Sequence, residues 1–380
     1  MKSDNQIRWN HEGGSSAILC APDSLCLGLR LEKAVTKVYE IDPLVDPRWA
    51  GLVESHPRAS VFHSRNWLKT LKSVYGYEPV VITTCPPWLP LTNGLVFCRI
   101  NSWLTGRRLV SLPFSDHCDP LTDSPIELDE ILSAVRRYVD EDGWKYVEIR
   151  PSRCAPSDDT KLTRSLTYCL HSIDVRNNGE ELLYNFHKAC VQRKIRRAER
   201  EKLRYEEGRS DTLLQDFYHL LVITRRRQFL PPQPLAWFRG LVTAFGSDLK
   251  IRVVYKDQLP IAGIITVSHK QSMVYKYGGS DSRFHRFGGM QLLFWNAIRE
   301  AKRNDFLEFD MGRSDVDNLG LIAFKEHWGA NRAEISYWTY PHRPQERPIA
   351  WQKQLLRAVA LVAPDAALRA VGNLLYQHIG

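Results

Sequence analysis

Three strand-length runs joined by tight turns, then a glycine pair and a helix, dominate the second half of this chain. LKIRVVYKDQLPIAGIITVSHKQSMVYKYGG (249–279) alternates apolar and polar residues as antiparallel strands do, with turns near 257–258 and 269–271. Gly288 and Gly289 open a helix over 288–303, and DFLEFDMG (305–312) reads as a strand after it. A short helix or turn (320–328) and a last strand, AEISYWTY (333–340), complete the series. Strands interleaved with helices bury their apolar residues in a sheet covered by those helices.

The first half follows a similar plan. FHSRNWLKTLKSVYG (62–76) places Trp67, Leu68 and Leu71 at helical spacing, and YEPVVITT (77–84) follows as a strand. A strand over 95–104 comes next, then a basic turn, short strand and polar loop over 106–121. Helix 127–140 carries Leu128, Ile131, Val135 and Val139 on one side, and strands follow at 144–150 and 167–175. Pro43, Pro47 and Pro57 are expected to break up the section before 60. A long, broken helix is expected over 179–206, with further helices at 209–223 and 237–246. The predicted class is therefore α/β (α+β), in two similar lobes that suggest duplication. The lobes span 31–176 and 177–345, after a polar leader (1–30) and before an amphipathic helical segment (346–380) broken at Pro364. A chain of 380 residues is long enough for two such lobes.

The formal charge of +9 favours acidic partners without choosing among them. The eight cysteines form no CxxC pair and read as reduced thiols of a cytosolic protein. MKSDNQIRWNHEGGSS lacks the apolar core of a signal peptide, and no clean apolar run reaches membrane-spanning length. No GxSxG elbow, GKS/GKT phosphate loop or HExxH is present, so common hydrolase, NTPase and metalloprotease readings lose support.

Charge concentrates in VQRKIRRAEREKLRYE (191–206). Residues 188–204 hold eight Lys or Arg against two Glu, and Arg193, Arg196, Arg197, Arg200 and Arg204 share one helical stripe. Such a stripe is either a solvated face or an anion site, since guanidinium forks match phosphate oxygens. Amides at the helix start after Gly288 and Gly289 suit an oxyanion or phosphate, with Arg283, His285 and Arg286 beside them. Asp310 is expected to face Arg283 or Arg313. Lys325, among Leu321, Phe324 and Trp328, is placed either to stabilise an oxyanion or to snorkel at the surface. His63 is read as a cap or a cleft residue, next to Trp67. The run Asp116-His117-Cys118-Asp119 is metal-capable by type but lacks zinc spacing, so no metal is expected; a Cys118 nucleophile is disfavoured.

Five segments together resemble the FemAB-like proteins of the GNAT-fold acyltransferases: FHSRNWLKTLKSVYGYEP (62–79), GRRLVSLPFSDHCDP (106–120), VQRKIRRAEREKL (191–203), YKYGGSDSRFHRFGGMQLLFWNAI (275–298) and FDMGRSDVDNLGLIAFKEHWGA (309–330). The resemblance is strongest to a subgroup found beside exopolysaccharide and exosortase systems. It implies two tandem GNAT-like lobes with a cleft between them, and transfer of an aminoacyl group from aminoacyl-tRNA to an amine of a cell-wall precursor. It assigns catalysis to Lys325 and precursor phosphate to Arg193 or Arg196; Asp310, at the end of the strand 305–312, is a second catalytic candidate read from the sequence itself. Tyr277, Arg283 and His285 fall in the loop facing the cleft, with Gly288, Gly289, Arg313, His63 and Trp67 as further substrate contacts. The acyl-CoA pyrophosphate loop is half met by residues 285–290, and the helical hairpin arm of some relatives finds no room.

The leading expectation is N-aminoacyl or N-acyl transfer to a phosphate-bearing cell-envelope or polysaccharide precursor. The donor, aminoacyl-tRNA or acyl-CoA, would not be tightly bound. Acetyl-CoA-dependent N-acetylation and non-enzymatic RNA or polysaccharide binding are the alternatives. Partners would be an anionic or nucleotide-linked precursor and tRNA. The expected location is cytoplasmic, extending to peripheral contact with the inner membrane face.

Overall fold

Prolines that look like breakers can start helices, and Pro47 does so here. Pro47 is the first residue of helix α1 (Pro47–Ser55), after Asp46, whose side chain accepts the Arg48 N–H. The section expected to be broken by prolines therefore holds this helix and strand β1 (Tyr39–Ile41).

The computed structural model describes residues 37–176, 179–343 and 363–379. The leader and residues 346–362 of the expected helical tail lie outside them. The first half continues with α2 (Arg65–Tyr75), β2 (Glu78–Thr83), β3 (Leu95–Ser102), β4 (Gly106–Val110), α3 (Pro125–Asp140), β5 (Tyr146–Ile149) and β6 (Thr163–Asp174). The second contains α4 (Gly179–Asn185), α5 (Arg193–Arg200), β7 (Arg204–Gly208), α6 (Asp211–Arg227), α7 (Leu235–Phe245), β8 (Leu249–Lys256), β9 (Leu259–His269), β10 (Ser272–Ser280), α8 (Gly289–Arg303), β11 (Glu308–Asp315), α9 (Leu319–Glu326) and β12 (Asn331–Tyr340). Helix α10 (Asp365–Leu375) follows.

Among the described residues twelve strands form one mixed sheet, ordered β1-β2-β3-β4-β5-β12-β6-β11-β10-β9-β8-β7. Each lobe contributes one parallel pair closed by a helix: β4 with β5 around α3, and β10 with β11 around α8. The last strands are exchanged. β12 of the second lobe lies between β5 and β6 of the first, and β6 pairs with β11.

Strand alternation sends successive residues to opposite faces. Val81, Val253 and Ile265 share a core with Trp49, Trp67, Trp237 and Phe238 from α1, α2 and α7, bridging both lobes. Trp67 and Trp237 meet edge-on at 5.3 Å, a contact worth about 0.5–1.5 kcal/mol beyond area burial. On the opposite face, Ile82 and Val147 pack with α3, while Ile264 and Phe309 pack with α5 and α8.

The long helix expected over 179–206 is interrupted and shorter. A π-turn (Lys188–Gln192) separates α4 from α5, and Lys202 adopts a left-handed conformation (φ 51°). Beyond it, RYEEG pairs with β8 as a strand. Arg204 thus leaves the stripe, and its guanidinium lies 4.0 Å from the Tyr255 ring centroid.

The described part of the C-terminal segment packs back on both lobes. Arg226 on α6 pairs with Asp365 at 2.5 Å, and Arg108 on β4 donates to the His378 carbonyl at 2.6 Å.

Candidate active site

β10 and β11 pair only as far as Val274↔Asp310. Two irregularities end the pairing. Lys276 is the extra residue of a bulge between Tyr275 and Tyr277, and β11 shifts register between Asp310 and Arg313, where Gly312 takes φ 70°. Bulges bend strands and re-aim side chains. Here the two strands splay, and cavities open on either side of Tyr275.

The first cavity measures about 490 Å³ and is lined by Lys194, Arg227, His285, Gly289 and the apolar Ile261, Phe284 and Phe324. Helix α8 starts at its wall. A Cβ on Gly288 (φ 81°) would lie 2.3 Å from the Lys194 carbonyl oxygen, so only glycine lets α5 approach this turn. No side chain caps α8. Its first N–H groups have no intrahelical acceptor and carry the positive end of the helix dipole, which suits an anion. His285 Nε2 and Ser280 Oγ are 2.9 Å apart. Burial, then Arg227 and Lys194, hold the imidazole pKa below its ordinary value.

The second cavity, about 310 Å³, is lined by Asp116, Arg225, Lys276, Tyr277, Arg313 and Lys325. Tyr275, Gln228 and Leu321 line both cavities and form the wall between them. Lys276 donates to Asp116 at 2.8 Å, inside a cage of Phe62, Trp67 and Tyr277 with ring centroids 5.0, 5.7 and 5.6 Å from Nζ. Arg313 Nε lies 3.8 Å from the Asp116 carboxylate, and its guanidinium sits 4.0 Å from the Tyr168 centroid. Lys325 is buried and donates to the carbonyls of Gly312 (2.7 Å) and Arg313 (3.0 Å).

Cations outnumber carboxylates along this wall. Burial would raise the Asp116 pKa, but Lys276 and Arg313 outweigh it and keep the carboxyl ionised. For Lys325, burial wins over Asp116 and Asp310 and lowers the pKa to about 8. Two of the three N–H donors of its ammonium are held by backbone, which leaves one for a substrate.

Asp310 faces a different space, a cavity of about 550 Å³ behind the cleft that it shares with His117 and Asp119. Its Oδ1 accepts the Gly312 N–H at 2.6 Å, and Oδ2 lies 3.6 Å from His117 Nε2. The expected pairing with Arg283 or Arg313 does not form. Arg283 is exposed and bound to Asp281 two residues away, at 2.6 Å. Arg313 reaches Asp116, because the turn at Gly312 separates the two ends of β11.

The other expected site residues divide. Tyr277 is buried in the second cavity's wall, its hydroxyl accepting from Trp237 Nε1 at 2.8 Å. Trp67 lines neither of the two cavities and serves as one side of the Lys276 cage. His63 is fully buried, with Nδ1 accepting from the Ser60 amide (3.0 Å) and Nε2 bound to the Asp119 carbonyl (2.9 Å). Burial lowers its pKa to about 4, so it is a neutral brace for the loop that carries Asp116. Arg193 and Arg196 line a shallow solvent-facing groove with Glu199 and Arg200, outside both cavities. Lys194, between them in sequence, points inward. The residues gathered with Lys325 are thus Lys276, Arg313 and Asp116, and not Arg193 or Arg283.

Sequence reasoning missed Lys276, Asp116, Lys194 and Arg227 as site residues. Asp116 stood in the run examined for metal. Lys276 had a signal of its own, a charge amid the apolar run MVYKY. Cys118 is buried at 3.4 Å from His63, and burial pushes its thiol pKa up to about 12, which removes it as a nucleophile.

Residues 186–326 match the family model of an acetyltransferase (GNAT) domain. The solved structure of FemX is similar with a TM-score of 0.64 at 14% identity, covering 85% of this chain and 100% of that one. A conserved Bacteroides thetaiotaomicron protein of unknown function gives 0.51 at 13% identity, covering 80% and 99%. A tandem GNAT protein from the clavulanic acid biosynthesis pathway gives 0.50 at 11% identity, covering 82% and 100%. No curated protein sequence matches. At these identities the structural likeness is one of fold, a tandem pair of GNAT lobes.

Proposed function

We propose that the chain is an N-acyltransferase that takes its acyl group from a phosphate-bearing carrier. The observation that carries this reading is the pair of cavities meeting at Tyr275. One offers an uncapped helix start with Lys194, Arg227 and His285 to phosphate, and the other a cationic wall to the reacting carbonyl. The donor's phosphates would lie at Gly288 and Gly289 and its acyl end would pass Tyr275. A neutral acceptor amine in the second cavity attacks the carbonyl and a C–N bond forms. The developing oxyanion takes the remaining N–H of Lys325 and the field of Lys276 and Arg313. Collapse breaks the bond from carbonyl carbon to the carrier's sulfur or oxygen, and the amine proton leaves with the carrier.

Acyl-CoA fits the splayed-strand slot. Aminoacyl-tRNA is the second reading, favoured by α5: Lys194 faces the donor cavity while Arg193, Arg196 and Arg200 line the adjoining surface, a path for a polyanionic backbone. The resemblance to FemAB-like proteins supports a phosphate-bearing cell-envelope or surface-polysaccharide acceptor. A cytoplasmic site beside the inner membrane face agrees with the exposed Trp103, Leu104 and Ile379. No helix among the described residues is long and apolar enough to cross a membrane.

A thermal-shift titration with CoA esters, aminoacyl-tRNA and nucleotide-linked precursors tests the reading. A donor should raise the melting temperature of the wild-type chain and lose that effect in Lys194→Ala. If no phosphate-bearing donor stabilises the chain, the proposal fails. Stabilisation by tRNA alone, weakened by salt and by Arg193→Ala with Arg196→Ala, selects the second reading.

A further inference from the structure

On the surface of the second lobe converge three metal-capable side chains that line neither of the two cavities. His187 caps the π-turn before α5, Cys190 lies within that turn, and His327 follows the last residue of α9. One ligand atom from each lies within 4.8 Å of the other two. The imidazole centroids are 4.5 Å apart. His187 is exposed, and Cys190 and His327 are half-buried, so solvent and ions reach the group.

The backbone beneath these side chains is fixed. The His187 amide donates to the His327 carbonyl at 2.8 Å, joining the two segments directly. Phe186 is buried against Trp328 at 5.0 Å and Trp295 at 5.8 Å, so the residue next to each histidine is anchored in the core. Gln192 Nε2 donates to the Phe186 carbonyl at 2.8 Å and pins the turn from its other end.

We propose that His187, Cys190 and His327 bind a zinc ion in an open three-ligand site. One thiolate and two imidazoles suit zinc rather than calcium or magnesium, which take oxygen ligands. Around a tetrahedral ion these atoms sit roughly 3.3–3.8 Å apart, given metal–ligand lengths of about 2.0–2.3 Å. Small side-chain rotations therefore close the observed spacing on a fixed backbone. The fourth position falls to water or a further ligand from solution. Cys190 gives up its thiol proton on binding. His187 Nδ1 now accepts the Cys190 amide at 3.1 Å, and ligation by this ring exchanges that bond for the metal. The ion would strap the entry of α5 to the exit of α9, the helices that carry Lys194 and Lys325. The site stands apart from acyl transfer and does not depend on it.

Cobalt(II) titration of the purified full chain tests the proposal. One equivalent should produce tetrahedral visible bands and a thiolate-to-cobalt charge-transfer band, both displaced by zinc. Cys190→Ser should abolish the charge-transfer band. His187→Ala and His327→Ala should weaken binding at least tenfold, while Cys154→Ser should change nothing. Should a variant fold poorly, wild-type protein gives a second reading: zinc should slow alkylation of the Cys190 peptide at least tenfold by mass spectrometry. Weak octahedral cobalt spectra, a charge-transfer band that survives Cys190→Ser, or zinc-independent alkylation of Cys190 would each overturn the site.

Discussion

Helices α3 and α8 occupy the same topological place, each crossing between the strands of a parallel pair, yet they begin in opposite ways. Ser124 caps α3 and accepts the Glu127 amide at 3.3 Å, Pro125 enters its first turn, and Glu127 is held by Thr122 at 2.8 Å. That helix start is closed by its own side chains and carries negative charge. Helix α8 begins at Gly288 with no side-chain cap, beside Lys194, Arg227 and His285. The two lobes thus share a plan, but one presents an anion-ready helix start and the other closes its own. The first lobe serves the cleft differently, through the loop between β4 and α3, which carries Asp116 to Lys276 and Arg313.

If the second lobe holds the chemistry, the largest effect should come from Lys325. Lys325→Ala should lower kcat by about 10²–10³-fold, as loss of one oxyanion donor does, with the circular dichroism spectrum retained. Unchanged turnover would remove Lys325 from the reaction. The next effect is one of pH. The folded pKa of Lys325 is lowered to about 8, so its ammonium is intact below that pH and lost as pH rises through it. Turnover should fall above pH 8 by up to about tenfold per unit, and the residual activity of Lys325→Ala should lack this limb. A limb that persists in the variant would assign the titration elsewhere.

Substitutions at the two helix starts sharpen the contrast. Lys194→Ala should raise the donor KM about tenfold through loss of a charge-assisted contact while kcat holds. Ser124→Ala should cost about 1 kcal/mol of stability, the usual worth of an N-cap, and leave donor affinity unchanged. A change in donor KM from Ser124→Ala, measured alongside chemical denaturation, would break the comparison.

Much of the architecture was legible because apolar periodicity reports directly on which face is buried. The 249–279 strands, the helix after Gly288 and Gly289, and α3 follow from that pattern. The π-turn and the end of α5 were not legible, since Lys202 in a left-handed conformation leaves no composition signal. The site was harder. Lys325 and the glycine pair stand out by type and neighbours. Asp116 and Lys276 meet across 160 residues only because a bulge turns Lys276 toward the first lobe. The arginine stripe was legible only in part: helical spacing shows that Arg193, Arg196 and Arg200 share a face, but only tertiary packing shows that this face lines a surface groove while Lys194 turns inward.

The exchange of β6 and β12 bears on how a ligand could be enclosed. A clamshell enzyme needs a flexible seam about which two halves swing, and here hydrogen-bonded strands cross that seam in both directions. Severing the gene after residue 176 would strand β6 without β11 and β12, so neither fragment should fold as an independent unit. Gating then falls to side chains and loops at the rim, above strands paired across the seam.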